Sequence, residues 1–536
     1  MEFIFGTLAN DELKLAHHRA KRRGLQHDFE LQPRDPQPGQ AVTLTVRSSQ
    51  ELGLEQLACY YTRDGSEPSG RRGVADNGEV AAFESAEVVW DSLCWQYLTH
   101  WRATLPGQPD GTMMRYCIGG WREGSEEVFA DWPDARAATE SAALAFFSQE
   151  PISQDPAPGD PDSKTVFTYQ VDTLKAPRWA ENAVIYHLFI DRFHPGNGRE
   201  WRQTEDLQDF CGGTLWGVRD KLDYLGDLGV TCIWLSPTWV SPSHHGYDAV
   251  DLGRVEPRLG GNEALRAVVE GAHERGMRIL LDLACNHLSD QHPYFRDALA
   301  DPHSPYRKWF HFDDSAVGYR AFFNVPAMPQ LNLTNPAARE WMTSIAQRWL
   351  REFDVDGYRL DYASGPGPNF WSYFRPACKE AKADCFCFGE VVDAPDAVRR
   401  YLGRLDGCLD FQVSDALRRT FARGSWTIER YRRFLVRHLK YFPADFLMPS
   451  FLDNHDMDRF LFIAQGDKEA LRRAAAAQLA LPGPAIIYYG TEVGLGQTVS
   501  TRETGLHASR TLMPWGAEQD TELLEYYRRL IRKRRN

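Results

Sequence analysis

The sequence predicts an α/β protein, a (β/α)8 TIM barrel preceded by a β-sandwich. After about residue 175, short buried strand patterns alternate with amphipathic helix patterns, which is typical of a parallel sheet closed into a barrel. Residues 31–132 instead hold short alternating runs divided by turn residues, as in a sandwich of antiparallel sheets. The segment EPISQDPAPGDPDS at 150–163 is rich in Pro, Asp and Ser and indicates a linker between the two.

These patterns also predict the domain boundaries. A segment after the third barrel strand, 288–333, has little regular pattern, and an insertion of this kind in a barrel loop is usually functional. The expected units are a charged helical arm at 1–30, a β-sandwich at 31–150, a linker at 151–175 and the barrel at 176–536. The eight barrel strands are expected within 183–193, 230–237, 278–287, 357–363, 385–391, 408–413, 446–456 and 485–494.

Composition excludes several classes of protein. The 536 residues are 43% hydrophobic and 25% charged, which is ordinary for a globular protein, and no apolar run is long enough to span a membrane. The net charge of -13 argues against nucleic acid as the main partner. The N-terminus lacks the pattern of a signal peptide, and ten scattered cysteines without a C-x-x-C pair favour reduced thiols in the cytoplasm.

Polar side chains stand at the ends of several predicted barrel strands. The carboxyl ends of the strands are where barrels of this kind carry their functional residues. Several carboxyl groups, an arginine and a set of histidines are therefore expected to meet on one rim. They are Asp282, Asn286, His287, Arg359, Asp361, Glu390, Asn454, His455 and Asp456, with His244, His245, Tyr247 and Asp248 after the second strand.

Two of these carboxyl groups are expected to differ in protonation. Arg359 and Asp361 are two residues apart on one strand and point to the same side, so the arginine should keep Asp361 ionised, as a nucleophile must be. Glu390 follows the apolar run CFCFG, and burial raises a carboxyl pKa, which suits a proton donor. One ionised and one protonated carboxyl group is the arrangement of glycoside hydrolysis.

Four segments in order are similar to the motifs of the α-amylase superfamily, glycoside hydrolase family 13. The resemblance extends over about 180–535 and implies that 288–333 is the inserted domain B of that family. The four segments are DLACNH (282–287), GYRLD (357–361), FGEV (388–391) and FLDNHD (451–456). Shorter matches are GGTLWGV (212–218), HGYD (245–248), MPQLN (328–332) and YYGTEVG (488–494).

The resemblance implies a role for each of the catalytic carboxyl groups. Asp361 would be the nucleophile, and Glu390 the general acid and then the base that activates water. Asp456 would bind sugar hydroxyls, while Arg359 would position Asp361. The implied reaction is hydrolysis of α-glucosides with retention, without an organic cofactor, and retention predicts that the carboxyl groups of Asp361 and Glu390 lie about 5–5.5 Å apart.

The resemblance also implies a set of substrate-binding residues. His287 and His455 would hydrogen-bond the hydroxyls of the sugar at the cleavage position. Tyr247 would stack on that sugar, and Asp248 would support its loop.

The sandwich together with MPQLN and FLDNHDMDRF is similar to the cyclomaltodextrinase, neopullulanase and maltogenic amylase group. This narrower resemblance implies maltooligosaccharides, cyclodextrins or related α-glucans as substrates, and a homodimer formed through the N-terminal domain. The chain departs from the group where Val391 and Val392 replace the Trp that commonly follows the acid, and where Thr214 replaces a common Asp. The segment YASGPG after Asp361 and the apparent absence of a C-terminal β domain are further departures.

A metal site is an open question at this point. Asn286 resembles a residue that binds structural calcium in many α-amylases, and Asn197 lies in the loop HPGNGRE, where the maltogenic group can bind calcium. That loop has few acidic oxygens for a hard cation, and Asn286 has the alternative role of a hydrogen-bonding residue in the active site.

Other functions remain open. The same carboxyl groups could serve a transglycosylase, phosphorylase or isomerase that acts on an α-glucosyl disaccharide such as sucrose or trehalose. A non-catalytic binding barrel is a minor alternative, because the catalytic residues are all present. The tryptophans of the sandwich could form a starch-binding surface, although a place in its core or at a domain contact is favoured; these are Trp90, Trp95, Trp101 and Trp121.

Overall fold

The structure is a computed structural model that describes residues 21–132, 164–204 and 208–535, together with Lys14, Leu15, His18, Arg19 and Asp206. Most of the predicted arm and most of the predicted linker lie outside these residues. None of the helices in the described part of the chain is both long enough and apolar enough to cross a membrane.

The N-terminal part forms two antiparallel sheets that enclose a shared apolar core. One sheet has the order β1-β3-β9-β8 with β2 beside β3, and the other has the order β11-β10-β4-β7 with β12 beside β10. The strands are β1 (Leu25–Gln26), β2 (Leu31–Gln32), β3 (Val42–Ser49), β4 (Gln56–Thr62), β5 (Ser69–Arg71), β6 (Val74–Asn77), β7 (Glu79–Ala82), β8 (Glu84–Asp91), β9 (Gln96–Leu105), β10 (Thr112–Trp121), β11 (Val128–Phe129) and β12 (Phe167–Val171).

Two predicted boundaries of the sandwich were wrong. The strand β1 lies inside the predicted arm, and β12 lies inside the predicted linker. In β12 the alternate residues Phe167, Tyr169 and Val171 are buried in the sandwich core, which fixes the strand on β10 although a Pro-rich segment precedes it. The core interpretation holds for Trp101 and Trp121 but not for Trp90 and Trp95, which are exposed.

The barrel is confirmed. Seven parallel strands have the order β20-β19-β18-β17-β14-β13-β21, and the short antiparallel pair β15 and β16 lies apart from them. Parallel bridges from Gly407 to Leu447 and from Ser450 to Ala485 place the segment 447–450 between the two edges as the eighth member. The strands are β13 (Val184–Leu188), β14 (Cys232–Leu235), β15 (Trp239–Val240), β16 (Asp251–Val255), β17 (Arg278–Ala284), β18 (Gly357–Asp361), β19 (Phe386–Gly389), β20 (Gly407–Cys408) and β21 (Ala485–Tyr488).

Two barrel strands are shorter than predicted. The expected strand at 446–456 is reduced to the two bridges, since Pro449 has no amide hydrogen to donate to a ladder. The expected strand at 408–413 ends at Cys408, because Asp410 caps the next helix by accepting a hydrogen bond from the backbone N of Val413 at 3.0 Å.

Helices surround the barrel and join its strands. They are α1 (Ile190–Phe193), α2 (Leu215–Asp220), α3 (Leu222–Leu228), α4 (Gly261–Glu274), α5 (Pro293–Ala300), α6 (Pro336–Glu352), α7 (Gly367–Ala381), α8 (Pro395–Val398), α9 (Phe411–Leu417), α10 (Ile428–Tyr441), α11 (Phe460–Ile463), α12 (Lys468–Leu479), α13 (Thr501–Thr504) and α14 (Thr521–Arg535). The inserted segment 288–333 contains α5 and is otherwise tied by isolated bridges, such as His287 to Gln330.

Hydrogen bonds from α7 and from Arg404 join the sandwich to the barrel. The side chain of Asn369 accepts from the backbone N of Thr168 at 2.8 Å and donates to the carbonyl of Val166 at 2.9 Å. Arg404 donates to the carbonyl of Thr168 at 2.8 Å. These contacts fix the end of the sandwich against the loops that follow β18 and β19.

Candidate active site

A buried arginine organises the carboxyl groups at the strand ends. Arg359 is fully buried on β18, and its Nη1 lies 2.7 Å from Asp361 Oδ1 and 2.8 Å from Asp282 Oδ1. Its Nη2 lies 2.7 Å from Glu390 Oε1, which is an ion-pair distance without hydrogen-bond geometry. The register of the parallel strands places Asp282 beside Arg359, so the sheet itself assembles this group.

The protonation of Asp361 differs from the simple expectation. The sequence suggested one arginine holding one carboxylate, but the guanidinium faces three carboxyl groups. Burial raises the pKa of both Asp361 and Glu390, and Arg359 opposes the rise in each case. Each of the two carboxyl groups therefore holds a proton more readily than a free carboxyl group does.

The second oxygen of Glu390 is held by a backbone amide. The N of Tyr362 donates to Glu390 Oε2 at 3.2 Å. Tyr362 has φ 39°, an uncommon conformation for a residue with a side chain. Strain of this kind persists where the surrounding structure enforces it, and here it directs an amide hydrogen at the proposed acid.

Asp456 has partners of its own, a histidine and a second arginine. His455 Nε2 lies 3.0 Å from Asp456 Oδ2, and Arg510 donates to Asp456 Oδ1 at 2.9 Å. Burial would raise the pKa of Asp456, but His455 and Arg510 outweigh it and hold that pKa well below its usual value. Sequence reasoning missed Arg510, because it lies in the long connection after β21 and belongs to no strand-end pattern.

Asp282, which received no role from the sequence, is the fixed anion beneath the site. Its Oδ2 accepts from Trp234 Nε1 and from the hydroxyl of Tyr247, each at 3.0 Å. The Tyr247 hydroxyl also lies 2.6 Å from His455 Nε2, so one chain of contacts links the two sides of the rim. The position of Asp282 at the end of the third barrel strand was the sequence signal that could have identified it.

The remaining predicted residues support the loops around the site. Asp248 accepts from the hydroxyls of Ser241, at 2.6 Å, and Ser243, and so stays within its own loop. His287 stacks on Phe322 with ring centroids 4.7 Å apart. Burial lowers the pKa of His287 to about 4, so the ring is neutral at pH 7.

One cavity of about 450 Å³ connects these groups. The predicted residues that line it are Asp361, Glu390, Asp456, Tyr247, His287, His244 and His245, whereas Arg359, His455 and Asp248 lie behind its surface. Its walls also contain residues that the sequence did not point to, namely Trp132, Arg400 and Arg510. Trp132 comes from the sandwich, so two domains share the cavity.

The two weak metal candidates have other partners. The side-chain oxygen of Asn286 accepts from Gln330 at 3.3 Å, and Asn197 is an exposed loop residue whose backbone N donates to Asp220 at 3.0 Å. In the described ranges, the group of His, Cys, Asp and Glu ligands close enough to hold a metal is His18, Asp91 and Cys94, in the sandwich. There Asp91 also pairs with the guanidinium of Arg22 at 3.2 Å, which disfavours a cation. Calcium therefore stays a prediction.

Comparison with known proteins agrees with this geometry. Residues 187–522 match the family model described as Alpha amylase, catalytic domain. "Alpha-amylase 2" of Dictyoglomus thermophilum is 39% identical over 370 residues, 68% of this chain and 65% of that protein. "Intracellular maltogenic amylase" of Bacillus subtilis is 34% identical over 389 residues, 69% of this chain and 65% of that protein.

A solved structure of a "Cyclomaltodextrinase" matches with a TM-score of 0.63 and 26% identity, over 95% of this chain and 84% of that one. In the alignments with the alpha-amylase and the maltogenic amylase, the matched part of this chain spans about 65% of the length of each relative. Since the family match covers more than half of the 536 residues and takes in every strand-end motif, the chain belongs to the alpha-amylase family through its catalytic domain.

Proposed function

We propose that this protein is a retaining α-glycoside hydrolase that cleaves α-1,4-glucosidic bonds in maltooligosaccharides, cyclodextrins or related α-glucans. One observation carries the proposal. The carboxyl groups of Asp361 and Glu390 contact two nitrogens of the same buried guanidinium, and both face the cavity that also receives Asp456. Two neighbouring carboxyl groups, one to attack and one to donate a proton, are what double displacement at a sugar requires.

In the first step ionised Asp361 attacks the anomeric carbon of the sugar. The bond to the glycosidic oxygen breaks as the ester to Asp361 forms, and Glu390 donates its proton to the departing oxygen. Arg359 and the amide of Tyr362 keep the two carboxyl groups at fixed positions throughout. The charge that leaves Asp361 is compensated by the charge that appears on Glu390.

In the second step Glu390, now ionised, takes a proton from water. The oxygen of that water attacks the anomeric carbon, and the ester to Asp361 breaks with return of the carboxylate. Two inversions give net retention. Asp456 remains ionised because of its low pKa, so it can accept hydrogen bonds from sugar hydroxyls and stabilise positive charge that develops on the ring.

The substrate class is supported by the relatives. Proteins similar to this chain include ones named cyclomaltodextrinase, maltogenic amylase and neopullulanase, and their alignments each cover 68–72% of this chain. A cytoplasmic location is part of the proposal, supported by ten cysteines that are all free thiols. A homodimer through the N-terminal domain remains a further proposal.

Product analysis tests the function. The purified protein is incubated with γ-cyclodextrin, maltohexaose, pullulan, sucrose and trehalose, and proton NMR follows the anomer that is released first. Early appearance of α-anomers from maltohexaose or the cyclodextrin is the expected result. Early β-anomers would contradict retention, and activity confined to sucrose or trehalose would contradict the substrate class.

A further inference from the structure

The two residues that directly follow the proposed acid into the cavity are not aromatic. Because a general acid must reach the departing oxygen, the residues that follow Glu390 into the cavity face the leaving-group side of the substrate. Here they are Val391 and Val392, whose short aliphatic side chains offer little flat surface to a sugar ring. Arg400 and Tyr401 also line the cavity, and Trp132 joins them from the sandwich.

Trp132 is held in a defined position at the domain junction. Its ring meets Phe29 edge to face, with centroids 5.6 Å apart and an interplanar angle of 80°. On the other side it lies close to Gly367 at the start of α7, where a Cβ would be 3.4 Å from Cζ2. Gly367 has φ 77°, a backbone conformation that favours glycine, and the absence of a side chain there also leaves room for the indole.

Arg400 ties this wall to the sandwich by charge. Its guanidinium carbon lies 5.8 Å from the centre of the Trp132 ring, and its Nε lies 2.5 Å from Asp28 Oδ1. Both partners of that ion pair are largely buried. The N-terminal domain therefore contributes an indole to the cavity and an anion that fixes the arginine beside it.

We propose that Trp132 binds the glucosyl ring on the leaving-group side, so that the N-terminal domain completes the substrate site within a single chain. The inference rests on the proposed function and deepens it. A half-buried indole in a cavity that must bind sugar presents an apolar face to the C–H groups of a pyranose, and burial of that face favours binding. Arg400 keeps one edge of the platform polar and offers donors to hydroxyls.

The test compares a substrate that has sugar on this side with one that has none. α-Maltosyl fluoride places sugar on the side of Asp361 and loses fluoride, whereas maltohexaose also places sugar beyond Glu390. In Trp132→Leu the ratio of kcat/KM for maltohexaose to kcat/KM for α-maltosyl fluoride should fall about tenfold, equivalent to about 1.4 kcal/mol. Trp132→Phe, which keeps an aromatic face, should retain most of the ratio.

A matched control separates a platform from a general effect on the domain. Trp90 is an exposed tryptophan of the same sandwich that does not line the cavity, and Trp90→Leu should leave the ratio at its wild-type value. Thermal unfolding of each variant shows whether it is folded, and Trp132→Met, which also lacks an aromatic face, replaces Trp132→Leu if that variant is unfolded. An unchanged ratio in the folded, active variant without an aromatic face would overturn this inference alone. Wild-type protein inactive on both substrates would overturn the proposed function, and the inference with it.

Discussion

The two walls of the cavity are built in different ways. The wall with Asp361 and Asp456 consists of side chains at barrel strand ends, each fixed by buried partners. The wall beyond Glu390 includes two valines, Arg400 and Tyr401, together with an indole that comes from another domain. Groups that make and break bonds must be placed within fractions of an ångström, so they stand on rigid strands, whereas a binding wall mainly needs surface of suitable chemistry.

The largest expected effect is on the first wall. Asp361→Asn should lower kcat on maltohexaose on the order of 10⁴-fold, because the amide has no charge with which to attack. Since burial raises the pKa of Asp361, the folded state bears a cost when this group is ionised, and the variant should be at least as stable as wild type. The gain in melting temperature should be larger at pH 8 than at pH 4, because the raised pKa favours the folded wild type only while the carboxyl group is protonated. Near-normal turnover would remove the nucleophile assignment.

Glu390→Gln should separate substrates by leaving group. We expect a loss of about 10²- to 10⁴-fold in kcat/KM on maltohexaose and a much smaller loss on α-maltosyl fluoride, whose leaving group needs no proton. Equal losses on both would argue against the acid role.

The pH profile gives a second readout of the same pair. In wild type, kcat/KM should fall at low pH as Asp361 gains a proton and at high pH as Glu390 loses its own. Burial raises the pKa of Glu390, so the alkaline limb should lie above 4.5, the usual value for a glutamate. Glu390→Gln should lack that limb when assayed on α-maltosyl fluoride, and a limb that persists would assign it to another group.

Asp282→Asn makes the same substitution as Asp361→Asn, but at a carboxyl group that lies beneath the site. Asp282 is fully buried and touches no cavity surface, yet it pairs with Arg359. Its neutralisation should reduce stability by about 3 kcal/mol, unlike Asp361→Asn, because Asp282 compensates the buried Arg359 cation more strongly than Asp361 does. A shift of Arg359 by about 1 Å would lower kcat up to about 100-fold. Melting curves and turnover measured side by side check this contrast, which an unchanged melting temperature would contradict.

The sequence predicted the first wall far better than the second. Strand-end positions identify Arg359, Asp361 and Glu390, because a periodic pattern and a local motif coincide there. Arg510 and Trp132 carry no such signal, since each reaches the cavity from a segment whose place depends on tertiary packing. The strand β12 was missed for a related reason, because its partner β10 is distant in sequence. Long-range placement of this kind follows from the assembled core rather than from neighbouring residues.

The smallest expected effect lies at the domain junction, where Asp28→Asn should weaken the anchor of Arg400 without touching the cavity. Loss of one charge from this pair should raise KM for maltohexaose roughly threefold, which corresponds to about 0.7 kcal/mol, with a smaller change in kcat. Asp91→Asn is the control, because Asp91 is also a largely buried, ion-paired aspartate of the sandwich but lies away from the cavity. A rise in KM with Asp28→Asn alone would tie the effect to the second wall. An equal rise in KM in both variants would instead attribute the effect to loosening of the sandwich as a whole. The second wall would then act on the site only indirectly, as its absence from the sequence motifs suggests.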